Sequence, residues 1–376
     1  MSRKLAAALA LLIAVALLPI PTLANPITML DFTAMDSVDN TATDHWKWDK
    51  DSKTLTLNGA TLAVPLRLPG DATIVVNGTN SISVSHQNDP VAFVVGNDGI
   101  VTITGPGTLN ITKGTPQNPG NQGSGTHTWI GTFIVGVENQ PGPTVTMTNY
   151  LKGGEVIYGA VLVNSGKLTI RSTATDSSGI DGEVRVAGGS LDIEAMSGGI
   201  YGRLTVTGGN VKIKTLNDGS GDYPEGIALK GKLNVEGGAV WLTSHTPGGP
   251  NAHRFAPVIL EEELSTDLTV KGSTTYDDPK PTQPVTWKPY GPSIDTPGGP
   301  GQSGLYPFIG DTPAKTVRIS AGDDSGSQSG IIIYVPTDDT PNTTTGNPTT
   351  GANDFVSTAT AAALMALLGA AALLRK

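Results

Sequence analysis

Four basic residues (Arg171, Arg185, Arg203, Lys214) and four acidic ones (Asp176, Asp181, Asp192, Glu194) recur through the middle of the chain. Two reactions on polysaccharide would draw on such groups. A lyase removes the proton beside a uronate carboxylate with an Arg or Lys base, while several carboxylates hold Ca²⁺. A hydrolase needs two carboxylates about 5–10 Å apart across one cleft, and Asp181 with Asp192 is the pair on offer. The charges are scattered, with no carboxylate cluster beside an Arg pair, so no catalytic residue is assigned. The five histidines, His45, His86, His127, His245 and His253, show no metal-ligand spacing. Residues Asn217 to Asp222 read as a polar turn or as a short Ca²⁺ loop, with Asp218, Ser220 and Asp222 as alternating oxygen ligands. Structural Ca²⁺ is the one cofactor the sequence admits.

Sugar binding asks for different residues. Aromatic rings cover the apolar faces of sugars, and polar groups orient the hydroxyls. Trp241 holds an outward strand position and is the leading candidate; packing beneath the 243–257 segment is its competing reading. Trp129, Tyr201 and Tyr223, placed in turns or insertions, are further candidates. Trp46, Trp48 and Trp287 read as end-cap packing.

A repeat positions these residues. Its clearest copies are Val184-Arg-Val-Ala-Gly-Gly-Ser-Leu-Asp-Ile193, Leu204-Thr-Val-Thr-Gly-Gly-Asn-Val-Lys-Ile213 and Leu233-Asn-Val-Glu-Gly-Gly-Ala-Val-Trp-Leu242. Weaker copies begin at Leu55, Ile74, Val101 and Val161, and Thr144 to Thr148 is a candidate for a further one. Each copy is apolar-x-apolar, a short turn containing Gly, then apolar-x-apolar. Alternate residues of a strand face one side, and Gly admits the positive φ of a sharp corner. One copy cannot bury its apolar pairs, whereas a stack of copies buries them in a continuous column. The pattern predicts an all-β fold, a parallel β-helix or β-solenoid with irregular loop excursions. An antiparallel sandwich is the alternative, but the three-residue units are short for hairpin strands. The outward ladder would read Thr169, Asp192, Lys212, Trp241, with Asp192 and Lys212 as a weak exposed pair. Strand-like pieces at Leu268–Val270, Val285–Trp287 and Val317–Ile319 would cap the stack. Thr112 to Thr126 and Pro279 to Gly304 would loop out.

The ends read as addresses. Arg3 and Lys4, an apolar run from Leu5 to Ile20, and small residues at Thr22 and Ala24 form a secretory signal peptide cleaved after Ala24. An uncleaved membrane anchor is the other reading. A second apolar run, Val356 to Leu374, ends in Arg375 and Lys376. Just before it, Asn347-Pro348-Thr349-Thr350-Gly351 resembles the LPxTG sortase motif, with Asn replacing Leu. The resemblance implies cleavage between Thr350 and Gly351 by sortase and covalent transfer to peptidoglycan; a plain hydrophobic anchor helix is the alternative. The expected divisions are a signal peptide (1–24), a β-solenoid domain with end caps (25–321), a Pro/Thr/Asp/Gly-rich wall linker (322–346) and a sorting signal with hydrophobic tail (347–376). The apolar patch Ile331 to Val335 interrupts that linker and can serve as a last strand.

The opening Trp46-Lys-Trp48 and Lys53 to Gly59, the Gly-Gly copies and the tail together resemble wall-anchored surface proteins of Clostridia with β-helix carbohydrate-binding domains. That resemblance implies extracellular display on the cell wall and binding of a polysaccharide or host glycan. Composition agrees with export. The chain has no Cys, and its net charge of −9 becomes more negative once the two ends are set aside, which argues against nucleic acid as a partner. The sequence therefore supports a glycan-binding or adhesive surface protein without catalysis. A Ca-dependent pectin-type lyase and a ligand-free stalk are the alternatives.

Overall fold

The structure is a computed structural model that describes residues 29–84, 91–95, 99–115, 127–217, 226–245, 255–290, 304–321 and 332–333. Their regular structure is entirely β, in long parallel sheets compatible with a β-helix. The signal peptide, the sorting pentapeptide and the C-terminal apolar run lie outside the described residues. So does most of the linker, although Ile332–Ile333 pairs in parallel with the Thr286–Tyr290 strand.

The chain passes repeatedly through three faces. Strands such as Val184–Val186 make the first face, Ser190–Ala195 and its kin the second, and Ser178–Asp181 and its kin the third. Each pairs in parallel with its counterpart one coil away. In Ser190–Ala195, Leu191 and Ile193 point inward and are buried, while Ser190, Asp192 and Glu194 stay partly exposed. Leu109, Val145, Leu168, Leu191, Val211 and Val240 form one vertical file, each residue register partner to the next. Burying one such side chain contributes about 1.5–3 kcal/mol, which a lone copy could not gain.

The long interval between Val101 and Val161 holds one coil: Phe133 pairs with both. Thr144–Asn149 supplies that coil's second-face strand. One register differs from the sequence alignment. Ile74 pairs with Ile103, not Val101. The slip is of two residues, so the same side chains still face inward. Asn80 then occupies the interior file opposite Leu109. Its Oδ1 accepts from the Ala60 N–H at 2.8 Å, and its Nδ2 donates to the Asn77 and Thr108 carbonyls at 2.9 and 3.2 Å.

Two corners of the coil are tight. Gly202, between the third and first faces, has φ +139°, and a Cβ there would strike the Gly182 carbonyl oxygen of the preceding coil. The corner between second and third faces is free to vary. Residues 85–90, 116–126, 218–225 and 246–254, outside the described set, all fall there in sequence, each between a second-face and a third-face strand.

Both ends are closed by antiparallel strands, which protects exposed sheet edges. At the start, Val38–Asn40, Trp46–Asp49 and Thr54–Asn58 form a meander, and Phe32 packs against Trp46 and Trp48 at centroid distances of 5.6 and 5.1 Å. At the other end Thr316–Ala321 runs antiparallel to both Ala239–Thr243 and Leu268–Ser273. Trp287 is buried in this cap.

Candidate functional site

On the second face the outward ladder runs Thr169, Asp192, Lys212, Trp241 in register, and the cap extends it to Arg318. Trp241 is half-buried. The Arg318 guanidinium lies 5.0 Å from its ring centroid, a favourable cation–π distance. A cleft of about 460 Å³ opens beside the ring, lined by Asp192, Asn210, Lys212, Trp241, Asp278 and Pro279 among others. A second hollow of about 350 Å³ lies among Trp241, Lys271, Pro279, Pro281 and Arg318. The ring thus divides two grooves.

The described wall beside Trp241 is the segment 274–282; residues 246–254 of the 243–257 segment lie outside the described residues. Asp277 sits between Lys214 (2.7 Å) and Lys212 (3.3 Å). Burial alone would raise its carboxyl, but the two lysines hold it below the ordinary range. The Tyr276 hydroxyl donates to the Thr215 carbonyl at 2.7 Å, and its ring stacks on His245 at 3.6 Å. Burial, with Asp277 and Glu194 nearby, pushes the phenol up to about 12. The wall is therefore pinned by an ion triad and a ring stack. Asp192 and Lys212, though register neighbours, do not pair: Asp192 lies 4.0 Å from Lys167, and Lys212 turns to Asp277.

The third face carries a second concentration of chemistry. His127 Nδ1 lies 3.1 Å from Glu155 Oε2, and the His127 ring stacks on Tyr158 at 5.3 Å. Tyr158, Asp181, Tyr201 and Lys230 follow one another up the outward ladder. The neighbouring imidazole holds the Glu155 carboxyl below its ordinary value, whereas burial and then the Glu155 charge raise Asp181. The Asp181 carboxylate makes no hydrogen bond or ion pair among the described residues, although its backbone carbonyl accepts from the Gly159 N–H at 3.0 Å.

Several sequence candidates are redistributed. Trp129 is not in a turn: it lies in the His127–Ile130 strand, fully buried and stacked on Phe93 at 4.4 Å. That removes it from sugar contact, because its ring is part of the core. Tyr201 also lies in a strand, Gly198–Val206, and is partly exposed. Tyr223, Asp218, Ser220, Asp222 and Asn347 to Gly351 lie outside the described residues. Asp181 and Asp192 are on different faces and do not share a cleft. The basic candidates separate as well: Arg171 pairs with Glu194 at 3.7 Å and Lys214 with Asp277, on the second face, whereas Arg185 and Arg203 stand on the first. Among the described residues no three His, Asp or Glu side chains converge as a metal site.

His127, Glu155 and Tyr158 were missed because the third-face strand was not read from the sequence. Its signal was present: Trp129-Ile-Gly131, Ile157-Tyr-Gly159, Ile180-Asp-Gly182, Ile200-Tyr-Gly202 and Leu229-Lys-Gly231 repeat an inward residue, an outward one and a corner glycine.

Fold and site together define an all-β protein of stacked parallel strands whose outer flanks carry aromatic residues beside charged ones. No protein-family profile, no curated protein and no solved structure matches the chain.

Proposed function

We propose that this chain is a β-solenoid displayed on a Gram-positive cell surface, where it binds glycan without catalysing its cleavage. The observation that carries the binding role is Trp241: a half-buried ring between two open grooves, with Asn210, Asp192, Lys212 and Asp278 at hand for hydroxyl groups. Such a ring can cover an apolar sugar face while the polar groups fix its orientation. Export and anchoring rest on the sequence alone, on the Ala24 cleavage site and the Asn347 to Gly351 sorting motif before an apolar tail. Sortase and peptidoglycan are the implied partners, and the mature chain is covalently held to the wall.

Glycan-array binding of the secreted chain, with Trp241→Ala as control, tests the binding role. A signal lost in the variant supports it; a flat array for the parent overturns it. Incubation with pectin and Ca²⁺, read by absorbance of unsaturated products, tests the lyase alternative. Release of the surface-bound protein by a wall hydrolase, but not by detergent, is the result expected of covalent anchoring.

A further inference from the structure

The third face presents an outward ladder in which each residue follows a buried one. Ile157, Ile180, Ile200 and Leu229 point inward and are fully buried. Their following residues, Tyr158, Asp181, Tyr201 and Lys230, point outward in register. Tyr158 is 52% exposed, the most exposed large side chain among the described apolar and aromatic residues. The Tyr201 ring lies across Gly198, where a Cβ would collide with it, so the missing side chain lets the ring lie down on the sheet. The Lys230 ammonium stands 6.0 Å from the same ring. Two tyrosines two rungs apart are separated by about 10 Å, twice the ~4.8 Å strand spacing. Asp181 lies between them, and Glu155 lies on the Tyr158 strand. The strip stops where Tyr306 packs over Ile227, Ala256 and Ile259.

We infer that this strip is a second binding site, for an extended β-1,4-linked chain of amino sugars lying along the stacking direction, with alternate rings on Tyr158 and Tyr201 and an ammonium group at Asp181. In such an extended chain every second sugar presents the same face, and that repeat is close to two rungs of the stack. Aromatic rings at this interval meet equivalent faces of alternate sugars. The groups beside the rings choose among sugars. Asp181 and Glu155 repel uronates and attract ammonium; the Asp181 carboxylate forms no ion pair among the described residues, and burial and then the Glu155 charge raise it, offset in part by His127. The net charge of −9 adds long-range attraction for a polycation. Lys230 ends the anionic stretch. The site does not depend on Trp241, which stands on another face.

Isothermal titration of the secreted chain with glucosamine, N-acetylglucosamine, cello- and galacturonate hexamers tests this. The glucosamine hexamer binds most tightly. Tyr158→Ala and Tyr201→Ala each weaken it about tenfold, the effect of about 1.4 kcal/mol. Tyr158→Phe retains binding, and Asp181→Asn abolishes the preference over the acetylated hexamer. Trp241→Ala leaves all of this unchanged while removing the array signal of the other groove, so the two sites fail separately. No binding of the glucosamine hexamer, equal affinity for the cello-hexamer, or indifference to Tyr158→Ala in a variant with parental circular dichroism overturns the proposal.

Discussion

The second and third faces are built from the same coils yet obey different rules. The second-face strands Ser190–Ala195 and Asn210–Thr215 alternate, with Leu191, Ile193, Val211 and Ile213 buried between more exposed neighbours. Third-face strands do not alternate. In Glu155–Tyr158 both Val156 and Ile157 are buried, and in Ser178–Asp181 and Gly198–Val206 a glycine takes the place of Val156. The reason is interior space. Ile193 and Ile213 of the second face reach across into the volume that side chains on Gly179 and Gly199 would need. The regular face sets the shape and the irregular one accommodates it. Chemistry follows the same division: the second face is bounded by a pinned wall, while the third carries the exposed Tyr158 beside the corner where the coil length varies most.

The two tryptophans break this comparison most sharply. Trp129, on the third face, is buried between Phe93 and Phe133 at 4.4 and 4.6 Å. Trp129→Ala removes that stack and is expected to cost about 3–5 kcal/mol. Trp241→Ala, on the second face, loses a half-buried ring and its Arg318 contact, and is expected to cost about 1 kcal/mol. Urea denaturation of both variants decides the matter. Equal losses would mean that Trp241 is core, and would undermine its role in binding.

The tight corners separate from the open ones by a smaller margin. Gly202→Ala meets both a positive φ and the Gly182 carbonyl, and is expected to destabilise by about 1–3 kcal/mol. Gly59 has φ +80° but nothing within 4 Å of a Cβ, so Gly59→Ala carries the backbone strain alone and costs less. Asn80→Ala comes next. It leaves the Ala60 N–H and the Asn77 and Thr108 carbonyls short of a partner inside the stack, at an expected cost of about 1–3 kcal/mol. Parental stability in Asn80→Ala would show that water enters that corner.

This contrast also explains what the sequence could reveal. Copies such as Leu204 to Ile213 carry period-two alternation around a glycine corner of nearly constant length, so the first two faces and the Leu191, Val211, Val240 file could be read residue by residue. The third face hides for three reasons: adjacent buried Val156 and Ile157 violate the period, glycines replace apolar residues, and segments of varying length precede each strand. Trp241 was legible because it shares the ladder of Asp192 and Lys212. The closeness of His127 to Glu155 was not, because the pair spans two coils across such a segment. The wall beside Trp241 was not legible either, since Asp277 reaches Lys212 and Lys214 only through the fold of the cap.

The smallest expected effect, and the most specific to the third face, is in pH dependence. The His127 imidazole holds Glu155 below its ordinary value. The stability linked to it is therefore complete above the unfolded-state value, near 4.3 for an ordinary glutamate, and is lost as pH falls through the lower folded value. Asp181 has the opposite sign. Its folded value is raised by burial and by Glu155, so keeping it ionised in the fold carries a penalty at neutral pH that disappears on acidification. Asp181→Asn should melt slightly above the parent at neutral pH, Glu155→Gln slightly below, and both differences should shrink as the solution is acidified. Melting curves over a pH series check both. An Asp181→Asn variant that melts below the parent at neutral pH would mean that this carboxylate already has a partner, and a strip without an uncompensated negative charge has no reason to select an ammonium-bearing sugar.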